Sequence, residues 1–183
     1  MRADARRNAA LLVATAREVF AEKGADAPLD EIAKRAKVGA GTLYRHFPTR
    51  EALVEAVYRD EVDVLADRVD VLLAEYPPFD ALARWMREQM RFVDHRRGLA
   101  ANLKFTVRPG TETMNWCRDR LLAAAGTLID ACRAVGAVRA DLEPFDLMRF
   151  GHGMAVAAEF GTEADTDRML DIVLAGLRER EPD

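Results

Sequence analysis

The residues best suited to chemistry lie between Lys37 and Leu53, in the stretch KVGAGTLYRHFPTREAL. Thr42, Tyr44, Arg45 and His46 bring a hydroxyl, a phenol, a guanidinium and an imidazole into five consecutive positions. These are donors suited to phosphate oxygens and base edges. Val38, Leu43 and Phe47 lie among them at offsets of five and four, so one face of a short helix can point inward while the donors point outward. Gly39 and Gly41 open the segment and Pro48 ends it. So short a helix is not stable alone, and neighbouring elements must clamp it through those apolar anchors.

Other chemistries have little to work with. His95 and His152 stand alone, with no HxxxH or HExxH pair, and read as core or surface polar residues rather than metal ligands. Cys117 and Cys132 form no CxxC pattern, which argues against both a disulfide scaffold and a zinc site and makes a reducing cytoplasm the default. No convergent set of nucleophile, base and metal ligands is present, so an enzyme is not expected, nor a metal or other cofactor. Gly151-His152-Gly153 falls inside a helical stretch and reads as a place for close helix packing.

The elements that must hold the reactive stretch are helical. A length of 183 residues fits one or two modest domains with a real core, and 50% apolar with 32% charged residues is an ordinary globular balance. Arg6 and Arg7 followed by Ala9 to Ala14 mimic a signal peptide. The stripe of Leu12, Ala16, Val19 and Phe20 continues through Arg17 and Glu18, so a soluble amphipathic helix explains the segment better. No apolar run approaches the roughly 18 residues of a membrane span, and no membrane partner is expected. Residues 1–60 carry 11 Lys+Arg against 9 Asp+Glu, and residues 61–183 carry 16 against 22. The basic excess therefore sits with the opening motif, while the acidic remainder would repel a polyanion.

Periodicity sets the expected helices. The first runs from about Arg6 to Lys23 and stops at Gly24. The second starts near Pro28, with Asp30 and Glu31 in its first turn and Ile32, Ala33 and Ala36 on its inner face. A tight Lys37-Val38-Gly39 connection leads to the third. Thr49 caps a long fourth helix striped by Leu53, Val54, Val57, Tyr58, Val62, Leu65, Val69 and Leu72, up to Tyr76-Pro77-Pro78. Further helices are expected over Phe79–Asp94, Gly98–Phe105, Thr111–Val135, Pro144–Phe160 and Asp165–Arg180, with a turn over Val107–Thr111. The spacing predicts an all-α chain of about nine helices, with no strand alternation and a boundary inside or just after the fourth.

Two short helices joined by a tight glycine-containing turn form a helix-turn-helix unit, whose second helix enters the major groove. The string VGAGTLYRHFPTREAL after DEIAKRA resembles the DNA-binding domain of the TetR family of bacterial repressors, closely over residues 6 to 60 and beyond that in architecture alone. The G-T-L-Y-x-H-F core, the helix cap after it and the upstream I-A-x-x-A occur in register, which makes the resemblance specific. It implies an N-terminal DNA-binding domain over 1–60, with the motif at about 28–47, and a helical regulatory and dimerisation domain over 61–183. Thr42, Tyr44 and His46 match positions that grip the operator backbone, and Arg50 matches a phosphate-contacting lysine. Ala40, Gly41 and Arg45 match positions facing the groove, while Arg6 and Arg7 could add contacts from a flexible arm. Gly39 replaces a usual serine cap at a cost of a few tenths of a kcal/mol, and Pro28 replaces a usual threonine. The small pair Ala40-Gly41 leaves base readout to Arg45, to close backbone approach or to DNA shape.

The resemblance also implies a small-molecule effector cavity, for which Trp85, Met90, Phe105 and Trp116 are candidate lining. In related regulators the last two helices pair with a twin. Gly151, Met154, Ala155, Ala158, Met169, Ile172, Val173 and Gly176 are the candidates for that contact. A dimer also follows from mechanism, since one small motif makes too few contacts and a palindromic site doubles them. The expectation is a homodimeric repressor of the bacterial cytoplasm, on the nucleoid when bound to double-stranded operator DNA and released by an effector of unknown identity. The rival is a helix-turn-helix scaffold that binds only protein and answers to no ligand.

Overall fold

A computed structural model of the chain describes residues 2–24, 26–103 and 110–179, with side chains described at 4–24, 26–93 and 110–179. Among these residues it holds eight α-helices and one short 3-10 turn, with no strand. They are α1 (Arg2–Lys23), α2 (Leu29–Arg35), α3 (Ala40–His46), α4 (Arg50–Glu75), α5 (Pro78–Leu103), α6 (Glu112–Ala134), α7 (Pro144–Ala157) and α8 (Glu163–Leu177). The 3-10 turn, Ala158–Phe160, follows α7 directly.

Local chemistry sets most of the ends. α1 stops at Gly24, whose φ of 81° lets its N–H reach the Phe20 carbonyl at 2.9 Å. α6 stops at Gly136, φ 63°, with Gly136 N–H on Arg133 O at 3.0 Å and Ala137 N–H on Cys132 O at 2.9 Å. That bond pair is the Schellman closure. Thr49 Oγ1 accepts the Ala52 N–H at 3.2 Å and caps α4. The Glu51 carboxyl beside it is held below its usual range by its own backbone N–H and by Thr49. α7 and α8 each start with a reciprocal capping box, Glu143 with Asp146 and Thr162 with Asp165.

The expected segments 79–94 and 98–105 form one helix, α5, whose backbone runs on through Gly98 to Leu103. A single glycine costs a helix interior only about 1 kcal/mol, and no proline interrupts the run. α1 begins at Arg2 rather than near Arg6, because alanines 3, 5, 9 and 10 are strong helix formers. Most of the turn expected over 107–111 lies outside the described residues.

The chain divides into two compact units, Met1–Glu61 with His95–Asn115 and Val62–Asp94 with Trp116–Asp183. In the first, α1 packs on α2 and α3, and α2 on α3. Its core joins Leu12, Ala16, Val19 and Phe20 of α1 to Leu29, Ile32 and Ala33 of α2, Leu43 of α3, and Leu53, Val54 and Val57 of α4. Arg17 ties α1 to α4 through Asp60 at 3.1 Å. Thr113, at the start of α6, accepts from Arg59 Nη2 at 2.6 Å and donates to Glu55.

The second unit is built around Trp85, which is fully buried and donates from its indole N–H to the Leu65 carbonyl at 2.9 Å. Leu72, Leu82, Met86, Leu128, Ile129, Leu147 and Leu170 are buried in the same unit. Arg68 forks onto both oxygens of Glu88 at 3.1–3.2 Å through Nε, linking α4 to α5. Arg120 of α6 donates to Asp63 at 3.1 Å and to Asp67, both on α4. These half-exposed pairs are worth at most about 1 kcal/mol each. Cys117 and Cys132 are both buried on α6, and burial pushes the Cys132 thiol up to about 11.

Candidate nucleic-acid interface

α3 is seven residues long, and its only buried residue is Leu43. Phe47, immediately after it, is also buried, and Val38, just before it, packs against the same core. Truncating Leu43 would cost about 2–5 kcal/mol and release the helix from its seat. The residues expected to point inward therefore do so. The helix starts on Gly39, in extended conformation with φ −63° and ψ 139° and no side-chain cap. Leu43 N–H returns to the Gly39 carbonyl at 3.1 Å.

The outer face has two zones. Ala40, Gly41, Tyr44 and Arg45 are exposed, with Tyr44 at 46%. Thr42, His46 and Arg50 are half-buried at the edge of the packed side. The His46 ring lies 6.2 Å from that of Phe47. A methyl placed on Gly39 or Gly41 would meet nothing within 4 Å, so the start of α3 is open to a close approach. Arg6 and Arg7 are exposed, but on the first turns of α1 rather than on an extended arm.

Charge pairing sorts the cations of this unit. Lys23 pairs with Glu31, Arg35 with Glu22 at 2.6 Å, Arg17 with Asp60 and Arg59 with Glu55. The Glu22 carboxyl is correspondingly held below its usual range, chiefly by its hydrogen bond from Arg35. Arg50 donates from Nη1 to the Ala27 carbonyl at 2.7 Å. Among the described residues, Lys34, Lys37 and Arg45 make no ion pair, and all three are exposed on α2, the turn and α3. Four basic side chains of this unit are thus neutralised within the protein, whereas Lys34, Lys37 and Arg45 on this face, and Arg6 and Arg7 on α1, have no ion pair among the described residues. Lys37 was not singled out by motif, because only the tertiary pairing reveals it.

The candidate ligand residues fall in different settings among the described residues. Trp85 is a core residue with its N–H satisfied, and Trp116 is half-buried. Met90 lines an open cavity of about 220 Å³ with Arg87, Arg91, Ala155, Ala158 and Asp167, and neither tryptophan is among its walls. Phe105 lies outside the described residues. Arg87 faces Asp167 across 3.5 Å.

The candidate dimerisation residues separate by exposure. Gly151, Met154 and Ala155 are buried within the protomer, and a methyl on Gly151 would lie 2.6 Å from Cδ of the buried Gln89. Ala158, Met169 and Val173 are half-buried, while Gly176 and Ile172 are exposed, Ile172 at 66%. Beside them Phe150 is exposed, as is Phe160, at 87%. Phe150, Ile172, Val173 and Gly176 share the wall of a second open cavity of about 440 Å³.

Packed helices presenting a short, leucine-anchored α3 with bare donors and unpaired cations define a helix-turn-helix DNA-binding regulator. Residues 12–57 match the family described as bacterial regulatory proteins, tetR family, and residues 77–179 match the SbtR-like transcriptional regulator C-terminal domain. The chain belongs to the TetR family of bacterial transcriptional regulators.

A crystal structure of a TetR transcriptional regulator from Streptomyces coelicolor is 40% identical, covers 94% of this chain and 99% of its own, and has a TM-score of 0.80. One of a TetR transcription regulatory protein from Mycobacterium vanbaalenii is 36% identical over 97% of this chain and 98% of its own, with a TM-score of 0.75. An HTH-type transcriptional repressor of Mycobacterium tuberculosis is 38% identical over 77 residues, 42% of this chain. The chain spans about two fifths of the length of the curated relatives it matches, 39% in that case. Family and relatives are transcriptional regulators rather than enzymes. Among the described residues, no helix is long and apolar enough to cross a membrane.

Proposed function

We propose that this regulator is a homodimeric repressor that lays α3 of each subunit into successive major grooves of a palindromic operator. Residues 1–60 serve as the reading head, and residues 61–183 as the regulatory and dimerisation domain. The observation that carries the reading is the concentration of unpaired cations and exposed donors on α3 and the turn before it. Thr42, Tyr44, His46 and Arg50 grip phosphates, Arg45 reads bases, and Ala40 with Gly41 let the helix approach closely. Arg6 and Arg7 add charge from the first turns of α1. A M. tuberculosis relative described as a repressor supports the sign of regulation.

Two copies pair through the exposed apolar surface of α7, α8 and the 3-10 turn, where Phe160 and Ile172 stand out. This assignment replaces Gly151, Met154 and Ala155, which serve the protomer's own packing, and keeps Ile172, Val173 and Gly176. A small molecule releases DNA by binding the regulatory domain more tightly in a state whose heads no longer fit the operator. The cavity walled by Arg87, Met90 and Arg91, with the carboxylates of Glu163 and Asp167 also in its lining, is a place for it. The protein works in the bacterial cytoplasm, on the nucleoid when bound.

A gel shift on the DNA upstream of the protein's own gene, at two salt concentrations, tests this reading. Binding with a steep salt slope supports it. A Tyr44→Ala/Arg50→Ala double variant should bind no sequence well, while Arg45→Ala should relax preference at particular base pairs. Wild-type protein that ignores DNA at low salt would indicate a protein-binding scaffold instead.

A further inference from the structure

We propose that Lys37, in the turn between α2 and α3, grips the DNA backbone at a phosphate diester, and that its charge is kept there at the expense of the helix end it occupies. The inference rests on the reading of α3 as the DNA-contacting helix. Lys37 has φ 54° and is the one non-glycine residue with positive φ among those described. Its N–H bonds to Lys34 O at 3.1 Å, and the Val38 N–H bonds to Ala33 O at 2.9 Å. These are the two bonds of a Schellman closure, the same pair that ends α6.

At the end of α6 the left-handed residue is Gly136, and at the end of α1 it is Gly24. Glycine takes that conformation without a Cβ clash, whereas a lysine must bear one. The chain thus solves one backbone problem with glycine twice and with lysine at the turn that leads into α3.

Among the described residues, no side chain offsets the lysine. Its side chain is exposed and makes no ion pair or hydrogen bond among the described residues. A cation at a helix C-terminus helps the dipole, but Lys34 and Arg35 already fill the last turn of α2. The residues that follow leave room for a duplex, since Gly39 and Gly41 face open space. Arg45, also unpaired, is exposed further along the same segment. A strained residue with an idle charge, beside an unobstructed helix start, points to a contact made only in the complex. Its partner is a phosphate rather than a base, because a flexible ammonium is a point charge without the planar fork that reads guanine.

The test compares wild type, Lys37→Gly and Lys37→Gln on an operator duplex and on an unrelated duplex, from about 50 to 300 mM salt, with thermal melting of each protein. Lys37→Gly should melt higher than wild type yet bind both duplexes about tenfold more weakly near 0.1 M salt, its log–log salt slope lower by about 0.9 per subunit. Lys37→Gln should weaken binding alike without the gain in melting. Unchanged affinity and slope in Lys37→Gly would overturn the proposal, as would a loss confined to the operator. Wild type that binds neither duplex in a salt-dependent way would overturn the DNA reading and this inference with it. Salt-dependent wild-type binding that Lys37→Gly retains in full would overturn the inference alone.

Discussion

Arg50 donates from Nη1 to the carbonyl oxygen of Ala27 across 2.7 Å, so the first residue of α4 holds the segment that leads into α2. The same side chain stands at the position proposed to grip a phosphate. Losing it should therefore act twice. A charge-assisted bond to a half-buried carbonyl is worth about 1–2 kcal/mol. Arg50→Ala should lower stability by that amount in urea unfolding and also weaken binding to every duplex. Tyr44→Ala, which removes an exposed side chain, should weaken binding with an unchanged melt. An Arg50→Ala unfolding curve superimposed on wild type would remove the brace.

Gly151 of α7 faces the Gln89 amide of α5, which is almost fully buried, has its Oε1 without a hydrogen-bond partner among the described residues, and donates from Nε2 to Met148 Sδ at 3.2 Å. Gly151→Ala drives a methyl into that amide and should cost about 1–3 kcal/mol. Gln89→Ala opens the space, so the double variant should be more stable than the sum of the single losses predicts, a coupling visible in a double-mutant cycle. Strict additivity would show that α5 and α7 do not meet there.

Asp165 at the start of α8 accepts from the backbone N–H of Thr162 at 3.0 Å, from its hydroxyl at 2.7 Å, and from Arg168 at 2.6 Å. These bonds, the Thr162 backbone foremost, lower its carboxyl to about 2. An unfolded aspartate titrates near about 3.9. A depressed carboxylate stabilises the fold fully above the unfolded value and loses that effect as pH falls through the folded one. Asp165→Asn should therefore melt below wild type near neutrality, with the gap closing between about pH 4 and 2. A gap independent of pH would trace the difference to the amide's shape rather than to the charge.

Ile172 and Phe160 are the most exposed large apolar side chains of the protein among the described residues. If they meet a second copy, Ile172→Asp should shift the protein from dimer to monomer in analytical ultracentrifugation, with little change in helicity. Met154, buried within the protomer, should instead unfold the domain when made Asp. A dimer that survives Ile172→Asp/Phe160→Asp would move the contact elsewhere.

The helices were legible wherever one residue decides the local outcome. Gly24 and Gly136 end α1 and α6, and Thr49 caps α4, because φ and a hydroxyl act within a turn. The seat of α3 was legible because Leu43 and Phe47 repeat at helical spacing. What depends on a partner from elsewhere in the chain was not. Periodicity marks Gly151, Met154 and Ala155 as small or apolar, but it does not say whether α5 or another molecule covers them. The isolation of Lys37 emerges only once Lys23, Arg35, Arg17 and Arg59 are seen bound to their carboxylates. Lys37 also resembles any surface lysine until its φ is known.

Both cysteines lie inside the second unit, fifteen residues apart on one helix, with the Cys132 thiol pushed up to about 11. Thiolate is the reactive form, so the native protein offers a quiet background to maleimide and nitroxide reagents. A single cysteine introduced at an exposed position of α1, away from the residues proposed to meet DNA, would carry almost all of the label. Two such labels in a dimer would turn the separation of the reading heads into a spectroscopic ruler, with and without a candidate inducer.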